Sequence, residues 1–387
     1  MKDLTFDNLI SVIIVFISWI LILFLLTIKT KKRLSNFLLI AFLLVNAQDS
    51  SGLFASFFVY PKYPGLGMLI NNTVFFKLPL LYLYLLSVIY SDFKLKPKHL
   101  LHLWGFVINF IILWPDYFSV DSEGKRNFLQ ANAEGHELLA IKLSYILVHI
   151  QIALYGVLCF LLIRKYKRLL LENFSNASLF NYKWLFQLVG LLMLDALIAT
   201  FKNIFMFMHI QEAYDYTYFV TSMLTLGLIS WMVLKALHNP ELFRGVKSDL
   251  QLIKNIASEQ VISASENKAV EETKEIIRLK TYMKTNEPFL NPSLSVEELA
   301  SQINVPTKEL SILINHDLNQ HFFDFVNSYR IEKAKELLIS PEKKDFTILE
   351  ILYEVGFNSK SSFNTAFKKY TGKTPTEYRK TRLKSGA

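Results

Sequence analysis

Thr347-Ile348-Leu349-Glu350-Ile351-Leu352-Tyr353-Glu354-Val355-Gly356-Phe357-Asn358-Ser359 packs a helix start, a short helix and a turn into one segment. Thr347 suits an N-cap, and Glu350, three residues on, can reach back to the Thr347 N–H, the reciprocal arrangement of a capping box. Gly356 suits a turn that needs positive φ. Ser359 then opens a second helix, with Phe363, Ala366 and Phe367 inward and Lys360, Ser361, Asn364, Thr365 and Lys368 outward. The pattern already stands 52 residues upstream, where Leu299 to Val305 matches Ile351 to Phe357 in apolar character. There Ser295 and Glu298 form the expected capping box, and Val296, Leu299, Ala300 and Ile303 face inward. Asn304-Val305-Pro306 turns the chain, and Thr307–Asn315 is the second helix, with Leu310, Leu313 and Ile314 on its core side. The small side chain of Ala300 lets the two helices approach closely.

Two helices joined by a tight turn make a helix-turn-helix, whose second helix suits a DNA major groove. The predicted base-reading residues are therefore Lys308, Ser311, Ile312 and Asn315 in the first unit, and Lys360, Ser361, Asn364 and Thr365 in the second. Between the units, His321–Ile339 reads as one long linker helix, with Phe322, Phe325, Val326, Tyr329, Ala334, Leu337 and Leu338 inward. It would hold the two recognition helices about one DNA turn apart, roughly 34 Å.

From Phe289 to Arg382 these residues resemble the AraC-type DNA-binding domain. The most specific motifs are Tyr353–Ser359 through Phe363, Phe367-Lys368-Lys369-Tyr370-Thr371-Gly372 and Thr374-Pro375-Thr376-Glu377-Tyr378-Arg379. Phe322–Asn327 to Arg330, with Ala334 and Leu337-Leu338, is similar to the family's linker helix. The resemblance implies a seven-helix fold, usually active as a homodimer, that binds double-stranded DNA and recruits or positions RNA polymerase. Leu352 stands where the family usually has Ala, which predicts a wider crossing or a shifted second recognition helix. The join to apolar helices resembles a membrane-bound group of the family.

Charge divides this region. Asn286–Glu354 holds six Lys/Arg against twelve Asp/Glu, whereas Val355–Ala387 holds eight Lys/Arg against Glu377 alone. Phosphate attraction is therefore expected from Lys368, Lys369, Lys373, Arg379, Lys380, Arg382 and Lys384, with Lys360 beside them. Base reading would fall to the first unit and anchoring to the second.

Upstream the composition changes. Hydrophobic residues make up 52% of the chain and charged ones 19%, against roughly 25% charged in soluble domains. Seven stretches approach the roughly 20 apolar residues that cross a bilayer: Leu9–Ile28, Leu34–Val59, Leu66–Tyr90, Leu100–Trp114, Ile141–Ile163, Trp184–His209 and Tyr216–Leu237. The first lacks the basic start and small-residue cleavage site of a signal peptide. With seven spans and the C-terminus inside, the inner loops carry twelve Lys/Arg, among them Lys29, Lys31, Lys32, Arg33, Lys94, Arg164 and Lys165. The outer segments carry four: Lys2, Lys62, Lys125 and Arg126. That bias predicts a multi-pass protein of a bacterial cytoplasmic (inner) membrane, N-terminus outside and C-terminus in the cytoplasm.

Asp49, Lys77, His149, Gln151, Asp195 and Lys202 lie at membrane depth in this reading. Ionisable groups there face the bundle interior, as a ligand or signal site or as ion pairs that hold helices together. Lys77–Asp195 and Lys202–Asp49 are the expected pairs; Asp195 and Lys202, seven apart, share a helix face. The acidic outer loop Pro115–Glu137 reads as a solvated loop or as a binding site for an external ligand.

The expected architecture is all-α: a polytopic bundle of about seven transmembrane helices, residues 1–245; a juxtamembrane linker, 246–285; and a double helix-turn-helix domain, 286–387. In the linker, Leu250, Ile253, Ile256, Ala257 and Val261 lie at helical spacing, and Ser258, Ser263 and Ser265 cluster in the middle of the polar stretch Val246–Leu279. No catalytic, cofactor or metal motif is present, and the single cysteine, Cys159, excludes an intrachain disulfide. The sequence reading is thus a non-enzymatic, membrane-integrated one-component transcription regulator controlled by a small ligand or envelope signal. Its rivals are a transporter or membrane enzyme with a regulatory tail, and a constitutive regulator passively tethered to the bilayer.

Overall fold

The computed structural model describes residues 6–29, 33–51, 59, 61–90, 93–134, 136, 138–175, 179–239, 266–343 and 345–385. Lys2, Lys31, Lys32, Glu137, the segment 52–58 and the whole 246–265 part of the expected linker lie outside the described residues, as do the side chains of Arg382 and Lys384. The chain divides into two units, one of residues 1–164 and 181–252, the other of residues 165–180 and 253–387.

The first unit comprises α1 (Phe6–Thr27), α2 (Arg33–Ser50), α3 (Pro64–Asn72), α4 (Lys77–Ile89), α5 (Trp104–Leu113), α6 (Ser122–Ala133), α7 (Leu139–Asn173, whose end belongs to the second unit), α8 (Leu179–Phe207) and α9 (Gln211–His238). Helix α1 packs on α2 and α9, and α2 packs on α4. Six described stretches are long and apolar enough to cross a membrane: Leu9–Thr27, Pro64–Ile89, Pro97–Phe118, Leu139–Asn173, Lys183–Phe207 and Gln211–His238. The seventh expected stretch, Leu34–Val59, runs through residues 52–58, outside the described residues; its described helix, α2, turns polar at Asn46, Gln48, Asp49 and Ser50. Many apolar side chains point outward, Phe16, Leu23, Val157 and Phe160 each more than half exposed. Helix α1 is apolar all round, the pattern of a helix with an apolar surrounding on every side. Pro79 does not break its helix. The chain passes from α3 through a 3₁₀ turn, Thr73–Phe76, into α4, so that Pro79 falls in the first turn, where a missing N–H costs nothing.

The second unit comprises α10 (Glu266–Asn286), α11 (Val296–Gln302), α12 (Thr307–Ile312), α13 (Phe322–Ile339), α14 (Ile348–Glu354), α15 (Lys360–Thr371) and α16 (Pro375–Ser385), with the end of α7. It has two apolar cores. Val296, Leu299, Ala300, Leu310, Leu313 and Ile314 share the first with Phe322, Phe325 and Val326 of α13. Ile351, Leu352, Val355, Phe357, Phe363 and Phe367 share the second with Ile331, Ala334 and Leu338 of α13. Helix α13 is therefore the common spine. Leu279 and Met283 of α10 also lie in the first core, so this helix, assigned to the linker by sequence, is built into the unit. Its charged surface hid two core residues four apart.

Candidate nucleic-acid interface and a charged cavity

Caps and turns set the helix-turn-helix geometry. Ser295 Oγ accepts from Glu298 N at 3.1 Å. The expected reciprocal bond is replaced, because the Glu298 carboxylate accepts instead from Asn291 Nδ2 at 2.9 Å. In the second unit the box is complete: Glu350 N donates to Thr347 Oγ1, and Thr347 N to Glu350 Oε2 at 2.7 Å. Those bonds hold the Glu350 carboxyl below its ordinary pKa. Thr374 and Glu377 make a further reciprocal pair at the start of α16, and the bond from the Thr374 N–H holds Glu377 low as well.

The two turns are equivalent. Asn304 and Gly356, 52 residues apart in the sequence, both take positive φ, 56° and 87°. Val305 N donates to Ala300 O at 3.0 Å, and Phe357 N to Leu352 O at 2.9 Å. Leu352, expected to disturb the second crossing, is fully buried in the second core, and the turn bond beside it is kept. Gly356 is required by space as well as by φ: a Cβ there would lie 2.7 Å from the carbonyl oxygens of both Phe289 and Leu290.

Of the first unit's base-reading candidates, Lys308 is exposed and Ser311 and Ile312 are half-buried. The α-helix expected over Thr307–Asn315 stops at Ile312 and continues as a π turn, Leu313–Asp317. Asn315 lies in that turn and folds back, its Nδ2 donating to Ser311 O at 2.9 Å. It is not displayed as a free amide. In the second unit Lys360, Ser361 and Thr365 are exposed and Asn364 half-buried, all on α15.

The phosphate candidates separate likewise. Lys368, Lys373 and Lys380 are exposed. Lys369 is exposed too, but its Nζ lies 2.6 Å from Asp324 Oδ1 on α13. Arg379 turns inward, Nη1 donating to Phe346 O at 2.7 Å, with Nε and Nη2 buried. It braces α16 and is not offered to solvent. Sequence reasoning noted Arg330 only as part of a motif. This side chain is fully buried on α13, where Nε donates to Phe289 O at 2.7 Å, Nη2 to Asn291 O at 2.8 Å and Nη1 to Asn327 Oδ1 at 3.2 Å. Its guanidinium carbon lies 5.6 Å from the centre of the Phe357 ring. One residue thereby ties the first unit's approach loop to the second unit's turn. Burial lowers its pKa to about 10, which leaves it charged at neutral pH.

In the first unit, Asp49, Lys77, His149, Gln151, Asp195 and Lys202 all line one cavity of about 890 Å³. The pairing differs from the sequence expectation. Lys77 Nζ meets Asp49 Oδ2 at 3.1 Å, because α2 and α4 are packed partners. Asp195 accepts from Thr225 Oγ1 at 3.1 Å. Among the described residues Lys202 forms no ion pair, and its ammonium sits 5.6 Å from the centre of the Tyr218 ring. His149 Nδ1 donates to Tyr145 O at 2.6 Å, and its Nε2 is buried without a hydrogen-bond partner. Asn109 Oδ1 is buried with no donor although its Nδ2 binds Asn72 Oδ1 at 2.8 Å. Among the described residues the cavity thus offers one ammonium outside any ion pair and two buried polar atoms, Asn109 Oδ1 and His149 Nε2, without a partner. The described residues contain no cluster suited to a metal.

Comparison with known proteins agrees with the geometry of the second unit. Residues 299–381 match the family described as Helix-turn-helix domain. The Msm operon regulatory protein of Streptococcus mutans is 31% identical over 88 residues, 23% of this chain and 31% of its own length. An uncharacterized HTH-type transcriptional regulator of Staphylococcus aureus (strain COL) is 34% identical over 93 residues, 24% of this chain and 12% of its own. The uncharacterized transcriptional regulatory protein YesN of Bacillus subtilis is 33% identical over 93 residues, 23% of this chain and 24% of its own. The chain therefore spans less than a third of the length of each of these relatives. A solved structure, the C-terminal domain of AraT, a response regulator from Geobacillus stearothermophilus, is 35% identical, covers 27% of this chain and 84% of that one, and has a TM-score of 0.24. The second unit carries a helix-turn-helix domain, similar to the DNA-binding part of these regulators.

Proposed function

We propose that this protein is a membrane-integrated one-component transcription regulator, in which a polar ligand held among the membrane helices controls DNA binding by the double helix-turn-helix. The observation that carries the sensing half is the cavity, which gathers charged and polar groups from α2, α4, α7 and α8 inside an otherwise apolar bundle. Such groups are expensive in a bilayer and persist where they serve a site. The outward apolar side chains of the long helices favour a lipid surrounding. Loop charge, counted with Leu34–Val59 as a seventh span, supports a cytoplasmic C-terminus and an outside N-terminus in a bacterial inner membrane. The regulators among its relatives support transcription as the output, and a homodimer acting on RNA polymerase completes the proposal.

Chromatin crosslinking of the full-length protein in its host tests this reading. Sharp sites sharing a bipartite motif, lost in a Lys360→Ala/Asn364→Ala control, are expected. Lys202→Met is expected to keep those sites while altering transcription from them. No enrichment over the control would refute DNA-directed regulation. Equal transcription with and without residues 1–245 would refute sensing.

A further inference from the structure

Helix α7 is 35 residues long, about 52 Å at 1.5 Å per residue, and its end is part of the DNA-binding unit. Where it stops, the chain becomes extended, and Phe174 pairs antiparallel with Ser295. The next residue makes four polar contacts. Ser175 N donates to Leu294 O at 3.1 Å, and Ser175 Oγ donates to the same carbonyl at 2.7 Å. The same Oγ accepts from Arg330 Nη2 at 3.1 Å, and Ser175 O accepts from Arg330 Nη1 at 3.2 Å. Ser175, Leu294 and Arg330 are all fully buried.

The chemistry of this seam is specific. A guanidinium has five N–H donors and no acceptor, and buried donors need partners. Among the described residues Arg330 meets no carboxylate. Its acceptors are carbonyls, one amide oxygen and the two oxygens of Ser175. Ser175 therefore completes a coordination that residues 266–385 leave short. Its partners are also well placed for influence: Ser295 is the N-cap of α11, and Arg330 belongs to the α13 spine.

We propose that Phe174–Ser175 is a built-in docking peptide, seated in a slot of the DNA-binding unit formed by Leu294, Ser295 and Arg330. The DNA-binding unit is then held to α7 by a second route, independent of the chain through 240–265. Any displacement of α7 reaches the start of the first helix-turn-helix directly.

The experiment cuts one route and asks whether the other holds. A site-specific protease sequence is inserted between Ser258 and Glu259 of the full chain. The protein, in detergent, is immobilised by an N-terminal tag and cleaved. The C-terminal fragment should stay bound to the resin after cleavage. Ser175→Pro removes both the N–H and the hydroxyl while leaving the extended Phe174 an allowed neighbour, and should release most of the fragment. The substitution lies outside the fragment, so the fragment's own fold is untouched. In a Cys159→Ala background, Phe174→Cys with Ser295→Cys should crosslink on mild oxidation, because Cα atoms paired across such a bridge lie within disulfide reach. The fragment should then remain through denaturing washes until reductant is added. Release of the unsubstituted fragment on cleavage, retention of the fragment with Ser175→Pro, or failure of the crosslink would each overturn the proposal. None of these results depends on the protein sensing a ligand or binding DNA.

Discussion

Gly356→Ala should cripple the DNA-binding unit, and Gly372→Ala should not. Both glycines have positive φ, 87° and 73°. For an L-residue that conformation costs roughly 1–2 kcal/mol, a term common to both substitutions. The surroundings differ. At Gly372 a Cβ would meet nothing within 4 Å, whereas at Gly356 it would lie 2.7 Å from two backbone carbonyl oxygens. Those carbonyls cannot retreat freely, since the Phe289 oxygen is bound by Arg330 Nε at 2.7 Å. Overpacking of this kind adds about 1–3 kcal/mol. Gly356→Ala should therefore cost about 2–5 kcal/mol, a large part of the roughly 5–15 kcal/mol that holds a domain. The assay is urea-dependent proteolysis of the C-terminal unit in the full chain in nanodiscs, with DNA binding by fluorescence anisotropy alongside. Loss of binding with Gly356→Ala and near-normal binding with Gly372→Ala is the expected pair. Stabilities within about 0.5 kcal/mol of one another would show that the contact to Phe289 and Leu290 carries no weight, since surface-like substitutions scatter by that much.

Other outcomes follow from the same contacts. Lys368→Ala should reduce the slope of log binding constant against log salt by about 0.9, and Lys369→Ala by less, because Asp324 already neutralises that ammonium at 2.6 Å; equal changes would contradict this. Glu350 and Glu377 are held below the ordinary carboxylate range by the N–H groups of Thr347 and Thr374. Their stabilisation is therefore complete above that range and is lost as pH falls through their lowered values. Glu350→Gln with Glu377→Gln should flatten the acid limb of urea midpoints followed by helical ellipticity, and an unchanged limb would refute the capping role. In the cavity, Asp49→Asn and Lys77→Met should each destabilise the bundle more than the double substitution does, with a coupling of about 0.5–3 kcal/mol. Additive losses in thermal melting would mean that the 3.1 Å pair is not a pair in solution.

The parts legible in the sequence are those governed by neighbours in the chain. Thr347 with Glu350, Ser359 before α15 and Gly356 in the turn are local devices, and each carries its chemistry within a few residues. The 52-residue repeat made the second unit readable from the first. The cavity residues were legible as a set, because charge is conspicuous in apolar helices, but their partners were not. Asp49 meets Lys77 because α2 packs on α4, a tertiary fact that spacing along one helix cannot supply. Glu298 shows the reverse failure: the local rule assigns it to a capping box, and Asn291, brought in by the preceding loop, takes its carboxylate instead. Ser175 and Arg330 are separated by 155 residues. A serine after a long apolar helix carries no mark of a buried partner so far away, and the π turn that folds Asn315 inward has no sequence signature either.

The uneven charge of the DNA-binding unit also governs how a complex begins. Lys360 and Lys368 on α15, Lys373 in the turn after it and Lys380 on α16 are exposed, while the first helix-turn-helix is acidic overall. The unit is an electric dipole, so in the field of a duplex it turns before it touches. On the proposed reading the basic end should land first at any sequence, and the acidic end should be admitted to the groove only where base contacts outweigh its repulsion. Arrival should therefore slow steeply with salt, whereas the lifetime on a matched site should be set by the helix that arrives second.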